Sequence, residues 1–136
     1  MGKYNAKKTI VDGIEFDSKL ESEYYLLLKQ LQQEGKVKEF TLQPFFTLQA
    51  GFHKNGKFIR PIVYKADFEI EYANGYKEIV DVKGFETTDF KIKKKLFESR
   101  YPHLTLTLVK YVKKYGGWIN VECWKELKRN EKKVKP

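Results

Sequence analysis

Ala66–Lys83, ADFEIEYANGYKEIVDVK, is the stretch that decides the fold. Phe68, Ile70 and Tyr72 alternate with Asp67, Glu69 and Glu71, the period-two pattern of a half-buried strand. Asn74-Gly75 then supplies the residue pair that a tight hairpin turn requires, and Tyr76–Lys83 reads as the returning strand. The expectation is two adjacent antiparallel strands. Such a hairpin sets Asp67 beside Asp81, fourteen positions later. Asp81 and Lys83 are two apart on one strand, so they share a face, and apolar Val82 takes the opposite one.

Toward the N-terminus, Lys57–Tyr64 carries Phe58, Ile59, Ile62 and Val63 around Pro61, and Leu42–Gln49 is interrupted by Pro44. Both read as strands with edges or bulges, starting from about Thr41. Before them, Asp17 or Ser18 can cap a helix. Ser18-Lys19-Leu20-Glu21 matches a capping box, and Leu20, Tyr24, Leu27, Leu28 and Leu31 follow at helical spacing to a stop at Gly35. Ile10–Ile14 reads as a short extended piece turning at Asp12-Gly13.

Toward the C-terminus, Thr88 or Asp89 caps a second helix through Tyr101, with Phe90, Leu96, Phe97 and Tyr101 inward and Pro102 limiting it. Leu104–Val109, LTLTLV, is a strand. Tyr115-Gly116-Gly117 breaks the pattern, and Val121 to about Asn130 reads as a short helix before a Lys-rich tail expected to fray. The order of helix, strands, helix and strand predicts an α/β fold with a mixed central sheet flanked by helices. One domain is expected over residues 1–136, with its core at about 16–110 and a basic extension over 111–136.

With 41% hydrophobic residues and 15% aromatics the composition excludes a disordered chain. A net charge of +9 favours a polyanionic partner, nucleic acid first, although a lysine-rich solubility surface gives the same number. Cys123 is the single cysteine, so neither an internal disulfide nor a cysteine-based zinc site can form. No apolar stretch approaches the length of a membrane span or a signal peptide, and the expectation is an unexported, cytoplasmic protein.

Asp67, Asp81 and Lys83 are the candidate chemistry. Phosphodiester cleavage needs a hard cation to bind a nonbridging oxygen, acidify water and offset developing charge. Magnesium, for which manganese can substitute, takes one or two protein carboxylates, so Asp67, Asp81 and the Val82 carbonyl suffice as ligands. Lys83 would orient water or stabilise the phosphorus centre. An exposed Asp-Lys pair of no consequence is the competing reading of these residues. Glu21 shifts the balance, because it lies at the rim of the first helix's apolar stripe, where an unpaired carboxylate is costly. Completing the capping box with Ser18 is its alternative role.

This set of residues resembles the PD-(D/E)xK nuclease superfamily, in which a first helix carries Glu and a hairpin carries Asp followed by (D/E)-x-K. Glu21, Asp67, Asp81 and Lys83 match in order and type, and the following helix and strand complete that superfamily's restriction-endonuclease-like αβββαβ core. FDSKLESEYY, LQPFF, YKADFEIEY and EIVDVKGFET are similar to a family of small phage and prophage nuclease-like proteins. The layout is also similar to the amino-terminal domain of the TnsA-type transposon endonuclease. The superfamily's usual Pro before the first Asp is Ala66 here, which bears on turn rigidity and leaves the charges intact.

The resemblance implies a magnesium-dependent DNA endonuclease of phage or prophage type, acting in a bacterial cell. Glu21, Asp67 and Asp81 would be metal ligands and Lys83 the catalytic lysine. A homodimer is compatible with it. A catalytically silent DNA-binding module and a phage assembly protein on the same fold are the rival readings.

Lys91, Lys93, Lys94, Lys95 and Arg100 crowd the second helix and would form a basic track for a phosphate backbone, which Lys110, Lys113 and Lys114 extend. Tyr111, Tyr115, Trp118 and Trp124 can stack on bases there or pack in the core. Gln43, before Pro44, can orient a water or contact a phosphate, or serve as an edge-strand polar residue.

Overall fold

The computed structural model describes residues 8–83 and 86–134. Residues 1–7 and the end of the Lys-rich tail, 135–136, lie outside the described residues, as do 84–85. β1 (Thr9–Val11) and β2 (Ile14–Phe16) form a short hairpin over Asp12-Gly13. Helix α1 (Lys19–Gln33) then starts at Ser18, whose hydroxyl accepts the Glu21 amide at 3.1 Å and faces the Glu21 carboxylate at 3.3 Å. That satisfies one of the helix's orphan donors. The buried face of α1 is Tyr24, Tyr25 and Leu28, whereas Leu20, expected inward, is exposed. Gly35, at φ 81°, ends the helix in the left-handed conformation a glycine adopts freely.

β3 (Val37–Leu42) follows at once, four residues before the expected start of β structure at Thr41. It pairs antiparallel with β8 (Phe68–Tyr72), which pairs antiparallel with β9 (Lys77–Val82). Helix α2 (Thr88–Arg100) crosses over to β10 (Thr105–Val112), which lies parallel to β9. The chain therefore has a mixed α/β architecture, as the sequence predicts.

Between β3 and β8 the chain leaves the sheet. β4 (Phe45–Gln49) and β7 (Ile62–Lys65) form a two-stranded ribbon, extended by a hairpin of β5 (Phe52–Lys54) and β6 (Lys57–Ile59). The expected single strand over Lys57–Tyr64 is two, divided at Arg60-Pro61, because Pro61 has no amide to continue a ladder. We call this excursion the arm.

The sheet also runs past residue 110. After a 3-10 turn at Lys113–Tyr115, Gly116 and Gly117, at φ 88° and 110°, reverse the chain into β11 (Gly117–Asn120), the edge strand beside β10. The two glycines make a turn rather than an end. α3 spans Val121–Val134, beyond the expected limit at Asn130. The final sheet order is β11-β10-β9-β8-β3.

Each face of the sheet buries its own core. Phe68, Ile70, Val80 and Val82 meet Tyr24, Tyr25 and Leu28 on one face. Ile79, Leu106 and Leu108 meet Phe90, Phe97, Leu48 and Tyr64 on the other. Fully burying side chains of this size contributes about 1.5–3 kcal/mol each, so the sheet is a rigid platform. No described helix is long and apolar enough to cross a membrane.

Candidate active site

The site forms where β8 begins and β9 ends. Asp81 follows Val80 into the second face, where it is 1% exposed among apolar side chains. A carboxylate so placed needs donors. It has the Asp67 amide on Oδ1 at 2.8 Å and the Tyr64 hydroxyl on Oδ2. The Lys83 ammonium lies 3.5 Å from Oδ2. Asp67 is tied reciprocally, its Oδ2 accepting the Val82 amide at 2.8 Å.

Glu21 reaches the same point from α1. It is 8% exposed, and its carboxyl stands close enough to that of Asp67 for each to shift the other's titration. Burial, Asp81 and Glu21, in that order, push the Asp67 carboxyl up to about 8. Burial and then Asp17 raise Glu21, against the pull of Asp67, Ser18 and Lys83. Burial and Asp81 raise the Tyr64 hydroxyl, which stays protonated as a donor. Three carboxyl groups thus converge with Lys83 as their half-exposed cation.

Among the described residues no three His, Cys, Asp or Glu side chains stand as a ready cluster for a metal ion. One Asp67 oxygen and both Asp81 oxygens are turned onto protein donors. The donor chemistry nevertheless suits a hard divalent cation, since oxygen ligands that must otherwise hold a proton against mutual repulsion gain most from one.

The chain belongs to the DUF1064 family. The family model, described as a protein of unknown function, matches residues 1–117. No curated protein and no solved structure matches the chain.

Around the carboxyl groups of this DUF1064 chain lie two clefts. A recess of about 120 Å³ is lined by Glu21, Asp67, Gln43, Phe16 and Leu42. Gln43 is thereby brought to the site. Its backbone has φ 51°, uncommon for a residue with a side chain, and its amide donates to the Asp67 carbonyl at 2.9 Å. On the other side Lys65, Lys83, Lys93, Asp89, Thr87 and Phe90 line an open groove. Lys65 and Tyr64 escaped the sequence reading. Their position two and three residues before Asp67, in alternation, was the available signal.

The basic helix divides in space. Lys93 lines the groove, while Lys94 faces a separate recess with Glu86 and Thr105. Both have acid partners one turn away, Asp89 at 3.2 Å and Glu98 at 3.7 Å. The run is therefore less unbalanced than it reads. Lys91, Lys95 and Arg100 are exposed on the same helix. Trp118 packs edge-on against Tyr24, and Trp124 lies under Lys110, 3.8 Å from its ring centre. Tyr115 donates its hydroxyl to Glu131. Trp118 thus packs against the first core, whereas Trp124 and Tyr115 stay half-buried, held by Lys110 and Lys128 and by Glu131.

Proposed function

We propose that the DUF1064 chain is a divalent-metal-dependent DNA endonuclease of phage or prophage type. The observation that carries this reading is the convergence of Glu21, Asp67 and Asp81 beside Lys83, with the Asp67 carboxyl raised to about 8 by its neighbours. Such a group of acids favours a bound cation over a shared proton. The order α1-β3-β8-β9-α2-β10 supports a restriction-endonuclease-like core, which runs helix, three strands, helix, strand.

Glu21, Asp67, Asp81 and the Val82 carbonyl would hold magnesium or manganese. Once bound, the ion supplies charge to a phosphate oxygen and acidity to a water. The chain's residues do the rest. The Asp67 amide and Tyr64 hydroxyl fix Asp81 in one orientation, so little reorganisation is needed during reaction. Lys83 presents its ammonium to the phosphorus centre, and Lys65 and Lys93 continue the groove along which a backbone would lie. Water oxygen bonds to phosphorus, the bond to the leaving sugar oxygen breaks, and that oxygen takes up a proton as water loses one.

The test is cleavage of plasmid, branched and single-stranded DNA in magnesium, manganese or EDTA. Metal-dependent products that disappear in Lys83→Ala are expected, and identical behaviour of wild type and variant under every metal would sink the proposal. The inward-turned carboxylate oxygens favour a second reading, a DNA-binding module without catalysis. Calorimetry separates the two: magnesium or manganese binding that Asp67→Ala with Asp81→Ala abolishes supports the enzyme, and no binding supports the silent module.

A further inference from the structure

From Gln43 to Ala66 the chain carries Lys54, Lys57, Arg60 and Lys65 and not one Asp or Glu. This acid-free segment is the arm. Its outer strands, β5 and β6, are exposed along their whole length, and Asn55-Gly56 joins them with both residues at positive φ. Phe58 is 56% exposed, yet its position is defined. Its ring lies over Gly51, where a Cβ would come within 2.6 Å, and beside the His53 ring at 5.1 Å. Gly51 is the seat that lets Phe58 lie there.

The root of the arm is the active site itself. Tyr64, on β7, donates to Asp81, and Lys65 lines the groove with Lys83 and Lys93. Whatever occupies that groove lies beside the arm's base.

We propose that the arm grips duplex DNA, its two-stranded tip entering a groove with Lys54, Lys57 and Arg60 on phosphates and Phe58 against the bases. The inference rests on DNA as the ligand in the reading above, and not on cleavage. The major groove of a duplex admits a two-stranded β-ribbon, and an acid-free ribbon complements its charge. A second copy of the chain is disfavoured as the occupant, because facing arms would set four cations against four with no acid between them.

Anisotropy of a short labelled duplex, titrated in EDTA over a range of salt, tests this. Lys54→Ala with Lys57→Ala and Arg60→Ala is expected to weaken binding at least about tenfold and to make the plot of log affinity against log salt shallower by about 2–3. Phe58→Ala is expected to weaken binding several-fold with the slope unchanged. All four side chains are exposed, so melting temperatures should match wild type; if the triple variant melts early, the single lysine and arginine variants carry the comparison. Unchanged affinity and slope would overturn the proposal. So would a wild-type dimer in sedimentation that Phe58→Asp splits while duplex affinity stays the same. Binding without cleavage under any metal would sink the nuclease reading and leave the arm standing, whereas arm variants that bind like wild type, beside an Asp81→Asn variant that no longer cuts, would sink the arm alone.

Discussion

Asp67 and Asp81 hold each other through the backbone: the Asp67 amide donates to Asp81 Oδ1, and the amide after Asp81 donates to Asp67 Oδ2, both at 2.8 Å. Two acids that repel through space are thus fixed by the strands that carry them. Replacing Asp81 with Ala would leave the Asp67 amide and the Tyr64 hydroxyl without an acceptor, at a cost of about 1–3 kcal/mol for each buried group. Asp81→Asn keeps the shape and an acceptor oxygen. Urea denaturation should therefore show Asp81→Ala much less stable than Asp81→Asn, while both lose cleavage by about 100-fold or more.

Tyr64→Phe removes one donor to Asp81 and leaves the ring packed between Phe90 and Phe97. A stability loss of about 1 kcal/mol is expected from the hydrogen bond. Its diagnostic effect is on metal: an Asp81 oxygen freed from the hydroxyl should change magnesium affinity in calorimetry, and equal affinities in Tyr64→Phe and wild type would show that the bond does not tune the site.

Asp67 gives an inverted pH response for an aspartate. Its folded carboxyl titrates at about 8 against an ordinary 3.8, so between those values the folded chain holds a proton the unfolded chain has released. The stability from that proton is complete below the ordinary value and is lost as pH rises through the folded one. A divalent cation must displace the same proton. The rise in melting temperature on adding magnesium should accordingly be larger at about pH 9 than at about pH 6, and Asp67→Asn should abolish the difference.

Lys93 and Lys94 are neighbours in sequence that face different clefts. Lys93→Ala should weaken DNA binding several-fold and flatten its salt dependence by about one unit of slope. Lys94→Ala should do neither, and equal effects in a salt-dependent mobility-shift titration would argue against the groove as the phosphate path.

Gln43 sits at φ 51°, where a Cβ costs energy that a glycine does not pay. Gln43→Gly should match or exceed wild-type stability by up to about 1 kcal/mol, and Gln43→Val should be less stable than either. If Gln43→Gly cuts DNA more slowly at unchanged stability, the side chain acts in the recess it lines with Glu21 and Asp67.

The parts of this fold legible in sequence are those that local periodicity governs. Phe68, Ile70 and Tyr72 with Asn74-Gly75 announce their hairpin because each pairs with its near neighbours, and Ser18 with Glu21 announces the start of α1. The carboxyl groups and Lys83 come with those elements. Tyr64 stayed hidden because its partner Asp81 is seventeen positions away and its ring reads as core. The arm stayed hidden because Pro44 and Pro61 look like damage to sheet strands, when β4 and β7 instead pair with each other. Asp89 and Glu98 sit four positions from Lys93 and Lys94, so that pairing was open to inspection, but which cleft each lysine faces depends on α2 lying against β10.

The arm leaves and rejoins the sheet at a neck closed by two backbone bonds, Gln43 to Asp67 and Ala66 to Pro44, at 2.9 and 3.1 Å. β3 and β8 are hydrogen-bonded neighbours in the sheet. Leu48 and Tyr64 at the arm's base belong to the second core, whereas β5 and β6 are exposed throughout, so descent can lengthen, trim or exchange that tip without disturbing the platform beneath it. Among members of this family, insertions and deletions should gather between residues 50 and 61, while the spacing from Tyr64 through Lys83 is kept.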